Sequence, residues 1–545
     1  MQQWRLVFFL FIISGNFLLS VAQTDNPILA AIKKEVDRNF NELKMDGYPS
    51  PFFISYAITD LHHLKVTASF GAVAQSFEIR ERIGLPLVLV GDYRLNNLKY
   101  EYNYRPQYKI SLDNDPKAIG ISIWTDLDDV YKQAVRNYES KKGILSQTRL
   151  TAEEQALSDY EQTPVVNLIL PPEKTNMDRI YWETYARTAS AIAQKYPDIA
   201  NSQVTVTLQN RMNYYYDTAG SQYAVPYIGC HLEYMAWIMN GDGEMLSGFV
   251  HYCRSSTDSL PCLSSFIDDC EQKINSLLKL KSAVKVEKTY TGPILFETKE
   301  LVQLFDRNLL NNNLSAFPKL SNGNGGNNLE VMTGEKIISD QLTVKALSGT
   351  KIYNGQVLDG YYPIDGEGVV PPEELILIEN GVLKNMLSNR IPTVKNQHSN
   401  GHYRLTFGAG FRRNISPGII QITGKNVYAD TDMKQELIKA ARKTGLEYAY
   451  IINDNGTTRV YTEDGREELI RGITYVSDIN TNNRINLFRK ILAVSDKEFI
   501  HSINLPSALY TYIIPASMLF EEADLIKVNE RIDFNVPVII PKPTE

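Results

Sequence analysis

Histidine and cysteine are scarce in this chain: seven and four among 545 residues. No C-x2-C unit occurs, so a cysteine-based zinc site lacks its usual ligand spacing. No G-x-S-x-G elbow marks a serine nucleophile, and Gly323-Asn-Gly-Gly326 has neither the lysine nor the strand-to-helix setting of a phosphate loop. Blocks of positive charge are missing too. With 56 Lys and Arg against 63 Asp and Glu the net charge is -7, and no cationic stripe speaks for nucleic acid. No apolar run is long enough for an ordinary spanning helix; Leu6 to Leu19 is short and contains Gly15 and Asn16.

What is present describes a folded protein. The chain is 43% hydrophobic, 22% charged and 10% aromatic, which excludes disordered, collagenous and multi-pass membrane classes. Arg5, the apolar run and Ser20-Val21-Ala22 match a secretory signal with small residues at the cleavage site, so residues 1–22 are expected to be removed on export. The mature protein is then periplasmic or secreted, with no integral membrane span. An oxidising compartment allows Cys230, Cys253, Cys262 and Cys270 to form disulfides, in any of three connectivities. Cysteine catalysis is disfavoured, because His231 follows Cys230 directly and the two would point to opposite faces of a strand.

Periodicity divides the chain. Asn26-Pro27 opens a helix as cap and first turn, with Leu29, Ile32, Val36, Phe40 and Leu43 on one face. Strands are expected at 52–57, 64–70 and 85–90, and helices at about 126–142 and 177–196, where Tyr181, Tyr185, Ala189, Ile192 and Tyr196 form a core stripe. Period two from Val204 to Tyr216, a turn at Asp217-Thr-Ala-Gly220, and strands 227–239 and 245–252 around Asn240-Gly-Asp-Gly243 read as two hairpins. A helix follows over 266–284. Helical spacing at Leu301, Leu304 and Phe305 gives way to an Asn/Gly-rich loop. From Val331 short β-prone runs dominate, apart from an amphipathic helix over 433–443. The expected organisation is a signal peptide 1–22, an N-terminal α/β domain 23–293 with a mixed or antiparallel sheet, a linking helix and loop 294–330, and a β-dominated, barrel-like domain 331–545. The fold class is therefore α+β.

Few residues offer chemistry. Asp365-Gly-Glu367-Gly places two carboxylates in a tight turn, where a paired role in water activation or cation binding competes with a turn-forming role. Glu373 and Glu374 read as solvated. His398 and His402 have i,i+4 spacing, but Asn400-Gly401 between them argues for a turn rather than a metal-binding helix.

Asp365-Gly-Glu-Gly-Val369 followed by Leu375-Ile-Leu-Ile-Glu-Asn-Gly-Val-Leu-Lys384 resembles the C-terminal signature of the TldD/PmbA family, a D-x-E-G turn before an L-I-x-x-G-x-L strand pair. Gly401 to Arg404, Asn414-Ile-Ser-Pro-Gly418 and Tyr214 to Gly220 are similar to further family segments. The resemblance implies peptide handling, a dimer and, in TldD-type members, a zinc-binding H-E-x-x-x-H helix between the two halves. At that place this sequence has Phe296, Glu297 and Leu301, and no cysteine follows Cys270. Hydrocarbon has replaced both imidazoles. The expectation is a noncatalytic partner or peptide-binding subunit with no cofactor, acting on a peptide or protein segment as a homodimer or beside a TldD-like paralogue. Glu297, Asp365 and Glu367 remain catalytic candidates and Arg404 a ligand-binding one. The competing expectations are a zinc peptidase with relocated ligands at His398 and His402, and a structural dimeric envelope protein.

Overall fold

The computed structural model describes residues 26–98, 106–241, 243–310, 313–318, 329–405, 415–475, 485–505 and 508–527. The expected signal segment and most of the Asn/Gly-rich loop lie outside the described residues.

Helix α1 (Pro27–Glu42) begins as its sequence dictates: Oδ1 of Asn26 accepts from the amides of Ile28 and Leu29 at 3.0 and 3.2 Å, and Pro27 fills the first turn. Two long antiparallel strands follow, β1 (Pro51–Ser69) and β2 (Ala72–Val90), joined at Phe70-Gly71. The expected strands 52–57 and 64–70 are thus one strand. Its alternate residues Ile54, Tyr56 and Ile58 are buried beneath α1 and α2 (Pro116–Gln147). Further along the same face, Leu64, Val66 and Ala68 lie beneath α3 (Arg179–Ser190) and a later helix. Asp60 and His62 fall between these two apolar stretches and are satisfied across the β1–β2 ladder, Asp60 by Arg82 at 2.6 Å and His62 by Glu78 at 2.5 Å. The polar interruption that makes the sequence look like two strands is the gap between two pairs of covering helices.

Strands β3 (Ile199–Asp217), β4 (Gln222–Met239) and β5 (Met245–Arg254) continue the antiparallel sheet as two hairpins, as the period-two pattern requires. Helix α4 (Leu263–Lys281) closes the second apolar stretch. A short parallel strand, Asn167–Ile169, makes the sheet mixed.

The expected disulfides are not formed: all four cysteines are free. Register is the reason. Cys230 pairs with Arg254 and His231 with Cys253, so Cys230 and Cys253 differ by one position and point to opposite faces of the sheet. Cys270, on α4 itself, is buried in the same core as Cys230, whereas Cys262 is exposed at that helix's start.

The C-terminal region is richer in strand. Strand β6 (Tyr290–Glu297) runs through a mixed sheet between Tyr448–Asn453 and Ser517–Lys527. A second sheet joins Leu342–Ala346, Ile419–Gly424 and Ala508–Pro515. Helix α5 (Thr298–Phe305), which widens to π geometry over Asp306–Leu310, puts Leu301, Val302, Leu304, Phe305, Leu309 and Leu310 into the core shared by both sheets. The helix Met433–Lys443 covers the outer face of the first sheet through Leu437 and Ala441 against Leu295 and Ile451. The fold is α+β. The expected barrel-like closure is not observed: among the described residues each sheet is an open path.

One buried acid gives the N-terminal sheet a pH dependence. Tyr56 donates to Asp126 of α2 at 2.5 Å, and burial first, then Asp129, pushes the Asp126 carboxyl up to about 7. Below the ordinary carboxylate range near 4 both states hold the proton; between about 4 and 7 only the folded state does, so this stabilisation declines as pH rises. The stability of wild type relative to Asp126→Asn should therefore fall by up to roughly 4 kcal/mol between pH 4 and 7 in urea titrations. A difference that does not change with pH would contradict this.

Candidate functional site

The Asp365-Gly-Glu367-Gly turn sits where the C-terminal region meets the uncovered face of the N-terminal sheet. Asp365 and Glu367 are both buried. Asp365 Oδ1 accepts from the amides of Glu367 and Val369, each at 2.9 Å, and Oδ2 accepts from the amide of Tyr403 at 3.0 Å. Gly368 adopts φ of +82°, a conformation that suits glycine. Burial, followed by the neighbouring Glu367, raises the Asp365 carboxyl to about 7. Glu367 accepts through Oε2 from the amide of Arg390 at 3.0 Å. Both carboxylates hold backbone in place.

Arg390, 1% exposed, is the largest fully buried side chain. Its Nε and Nη2 donate to the carbonyl of Glu161 at 3.1 and 3.0 Å, while the Glu161 amide donates to the Arg390 carbonyl at 2.8 Å. The guanidinium packs over Tyr160 at 4.4 Å and Phe53 at 5.0 Å, with Asp217 at 3.7 Å. Burial raises the Asp217 carboxyl against the pull of Arg390, so this pair is a loose one. Three separate segments of the N-terminal region, at Phe53, Tyr160-Glu161 and Asp217, thus converge on one C-terminal residue.

Beside this junction is a cleft of about 70 Å³ between β3–β4 and the Asp365 turn. Arg211 of β3 and Arg404, 3% and 6% exposed, contribute to its walls. Each guanidinium lies over an aromatic ring, Arg211 at 4.6 Å from the centre of Tyr227 and Arg404 at 3.8 Å from that of Tyr362. A wider hollow of about 580 Å³ is lined by Tyr160, Glu161, Lys395 and His398 among others. Sequence reading singled out Asp365, Glu367 and Arg404 but missed Arg211 and Arg390. Strand alternation gives a signal for Arg211, which faces opposite to Leu208; Arg390 lies in a Ser-Asn-Arg-Ile-Pro stretch with no periodicity.

The remaining candidates lie apart in their bonding. His402 is buried, with Nε2 at 3.0 Å from Ser348 Oγ and Nδ1 at 2.9 Å from Asn400 Oδ1, and burial lowers it to about 3. His398 is exposed, its Nδ1 2.9 Å from Glu161. Glu297 accepts from Asn453 Nδ2 at 2.9 Å, and burial raises its carboxyl. Glu373 and Glu374 are exposed. Among the described residues no three His, Cys, Asp or Glu side chains are grouped to hold a metal ion.

Residues 293–513 match the family model of the PmbA/TldA metallopeptidase C-terminal domain. The match covers the C-terminal part of the chain, which in this respect is similar to the TldD/PmbA family. Three solved structures share the fold. TldE from Thermococcus kodakarensis is 13% identical, with a TM-score of 0.58 over 91% of this chain and 100% of that one. A candidate modulator of a DNA gyrase from Thermotoga maritima is 15% identical, with a TM-score of 0.57 over 90% and 99%. A candidate modulator of DNA gyrase from Bacteroides thetaiotaomicron is 12% identical, with a TM-score of 0.54 over 92% and 98%. No curated protein matches the chain by sequence.

Compared with the metal-binding helix that the resemblance implies, the segment 290–310 has a different shape. Phe296 and Glu297 end strand β6, and helix starts only at Thr298, so positions 296 and 301 do not share a helix as an H-E-x-x-x-H motif would. Phe296 packs edge-on against Phe520 and Tyr475, and Leu301 is fully buried. Sliding the motif along α5 restores nothing, because no histidine occurs between His251 and His398. These side chains do not fit a zinc ion, which needs three or four N, S or O donors.

Replacing Arg390 tests the junction. Arg390→Met leaves the Glu161 carbonyl and Asp217 without this partner and should cost about 3 kcal/mol, with Arg390→Lys losing less because it keeps the charge but not the fork. Chemical denaturation monitored by tryptophan fluorescence measures both. Equal stability of Arg390→Met and wild type would show that the junction does not depend on this side chain.

Proposed function

We propose that this chain is a noncatalytic TldD/PmbA-like subunit that binds a peptide or protein segment in the cell envelope, after export directed by residues 1–22. It acts as a homodimer or beside a TldD-like paralogue. The observation that carries the reading is the chemistry of 290–310: in any register the helix that should grip zinc offers no imidazole, and the positions first aligned with the two histidines are buried Phe296 and Leu301. One carboxylate, Glu297, cannot hold a d10 ion alone. The match of residues 293–513 to a metallopeptidase-family model supports peptide handling, and one structural neighbour bears the name TldE. Among the described residues no helix is long and apolar enough to cross a membrane.

The domain reading that accompanies this function keeps residues 23–293 as the N-terminal unit, 294–330 as the link and 331–545 as the C-terminal unit. In that arrangement the peptide lies between the two larger units.

The test uses the pure full chain and a tryptic digest of β-casein, with and without equimolar Zn2+. Gel filtration followed by mass spectrometry should find peptides eluting intact with the protein and no new termini under either condition. Zinc-dependent cleavage would overturn the noncatalytic assignment, and failure to retain any peptide would overturn the binding assignment.

A further inference from the structure

Arg404 poses a charge problem. It is 6% exposed, and its guanidinium has five N–H donors. One of them reaches the Pro417 carbonyl at 3.4 Å, and the Tyr362 ring covers one face at 3.8 Å. Among the described residues no carboxylate lies within 4.0 Å of it. The carboxyl in the cleft wall, Asp365, is engaged through both oxygens with three backbone amides. A second guanidinium, that of Arg211, is buried in the same cleft and donates to Gln209. Burial first, and then the nearby Arg404, lower its affinity for a proton.

Two cations buried together are costly unless an anion accompanies them. The cleft between them holds about 70 Å³, enough for a small planar anionic group but not for a bulky side chain. Guanidinium forks match a carboxylate in two parallel hydrogen bonds, and the tyrosine rings of the walls hold those forks flat.

We propose that the Arg211–Arg404 cleft is a carboxylate-binding site that receives the C-terminal carboxylate of a peptide. The inference deepens the peptide-binding reading above and rests on it. The carboxylate brings the counter-charge that no described residue within 4.0 Å supplies to Arg404, and the adjoining tyrosines contact the last residue of the peptide. Recognition is therefore of a chain end, so neutral and amidated peptides bind poorly whatever their sequence.

Isothermal titration of the full chain with N-acetyl-trialanine, its C-terminal amide and sodium acetate tests this. The free acid should bind at least about ten-fold more tightly than the amide, in keeping with charge-assisted hydrogen bonds. Arg404→Gln should abolish that preference and Arg404→Lys retain part of it, with circular dichroism melts reporting whether each variant is folded. The acid-to-amide comparison on wild type stands even where a variant fails to fold. Equal binding of acid and amide would overturn carboxylate recognition while leaving peptide binding intact. Arg404-dependent binding of acetate with no binding of either peptide would overturn the peptide-end assignment together with the reading beneath it. No binding of any of the three would overturn the site altogether.

Discussion

The burial of one guanidinium, that of Arg390, fixes how the two regions of this protein meet. Taking an arginine out of water is costly, and Asp217 at 3.7 Å is not its sole offset: burial raises the Asp217 carboxyl, while Glu367 and Asp217 together favour the charged guanidinium. What holds Arg390 is directional: two donors to the Glu161 carbonyl, a returning backbone bond from the Glu161 amide, and two aromatic rings. Such a cluster adds little net stability compared with an apolar junction of the same volume. It does penalise any other register, because a displaced Arg390 would leave a buried charge without acceptors. The junction therefore specifies position more than it supplies binding strength.

The acidic turn follows from the same constraint. Glu367 receives the amide of Arg390, and Asp365 receives that of Tyr403, the residue before Arg404. One turn thereby positions both the arginine that locks the regions together and the arginine that faces the cleft. Two neighbouring carboxylates suggest acid-base chemistry, but the hydrogen-bond partners of the Asp365 carboxyl among the described residues are backbone amides, and a carboxylate that accepts three such bonds has little capacity left for substrate.

The legibility of the fold from sequence tracked how local its causes are. Asn26-Pro27, the 240–243 turn and the 433–443 helix are decided by neighbours in the chain and were readable to within a few residues. The 19-residue strands were not, because Asp60 and His62 break the apolar alternation for a reason visible only in three dimensions, the space between two helix pairs. The disulfide expectation failed through a one-residue register that composition cannot reveal. Of the candidate site, the Asp365 and Glu367 turn and Arg404 were legible through local motif, whereas Arg390 carries no local signal, since its partners are more than two hundred positions away at Glu161 or reached through the fold at Glu367.

The segment 290–310 is held in place by apolar side chains on both of its faces. Its residues alternate between two cores: Ile294 and Phe296 face the shared inter-sheet core, and Leu295 faces the 433–443 helix. The helix that follows is buried along much of its length between the two sheets. An imidazole in such a place needs a metal or hydrogen-bonding partners to offset its desolvation, as His402 shows with a partner at each nitrogen. Phenylalanine and leucine need none, and each contributes on the order of 2 kcal/mol by leaving water. Hydrocarbon at positions 296 and 301 therefore stabilises the core directly. The cleft outside that core is walled by two guanidiniums, each lying over a tyrosine ring.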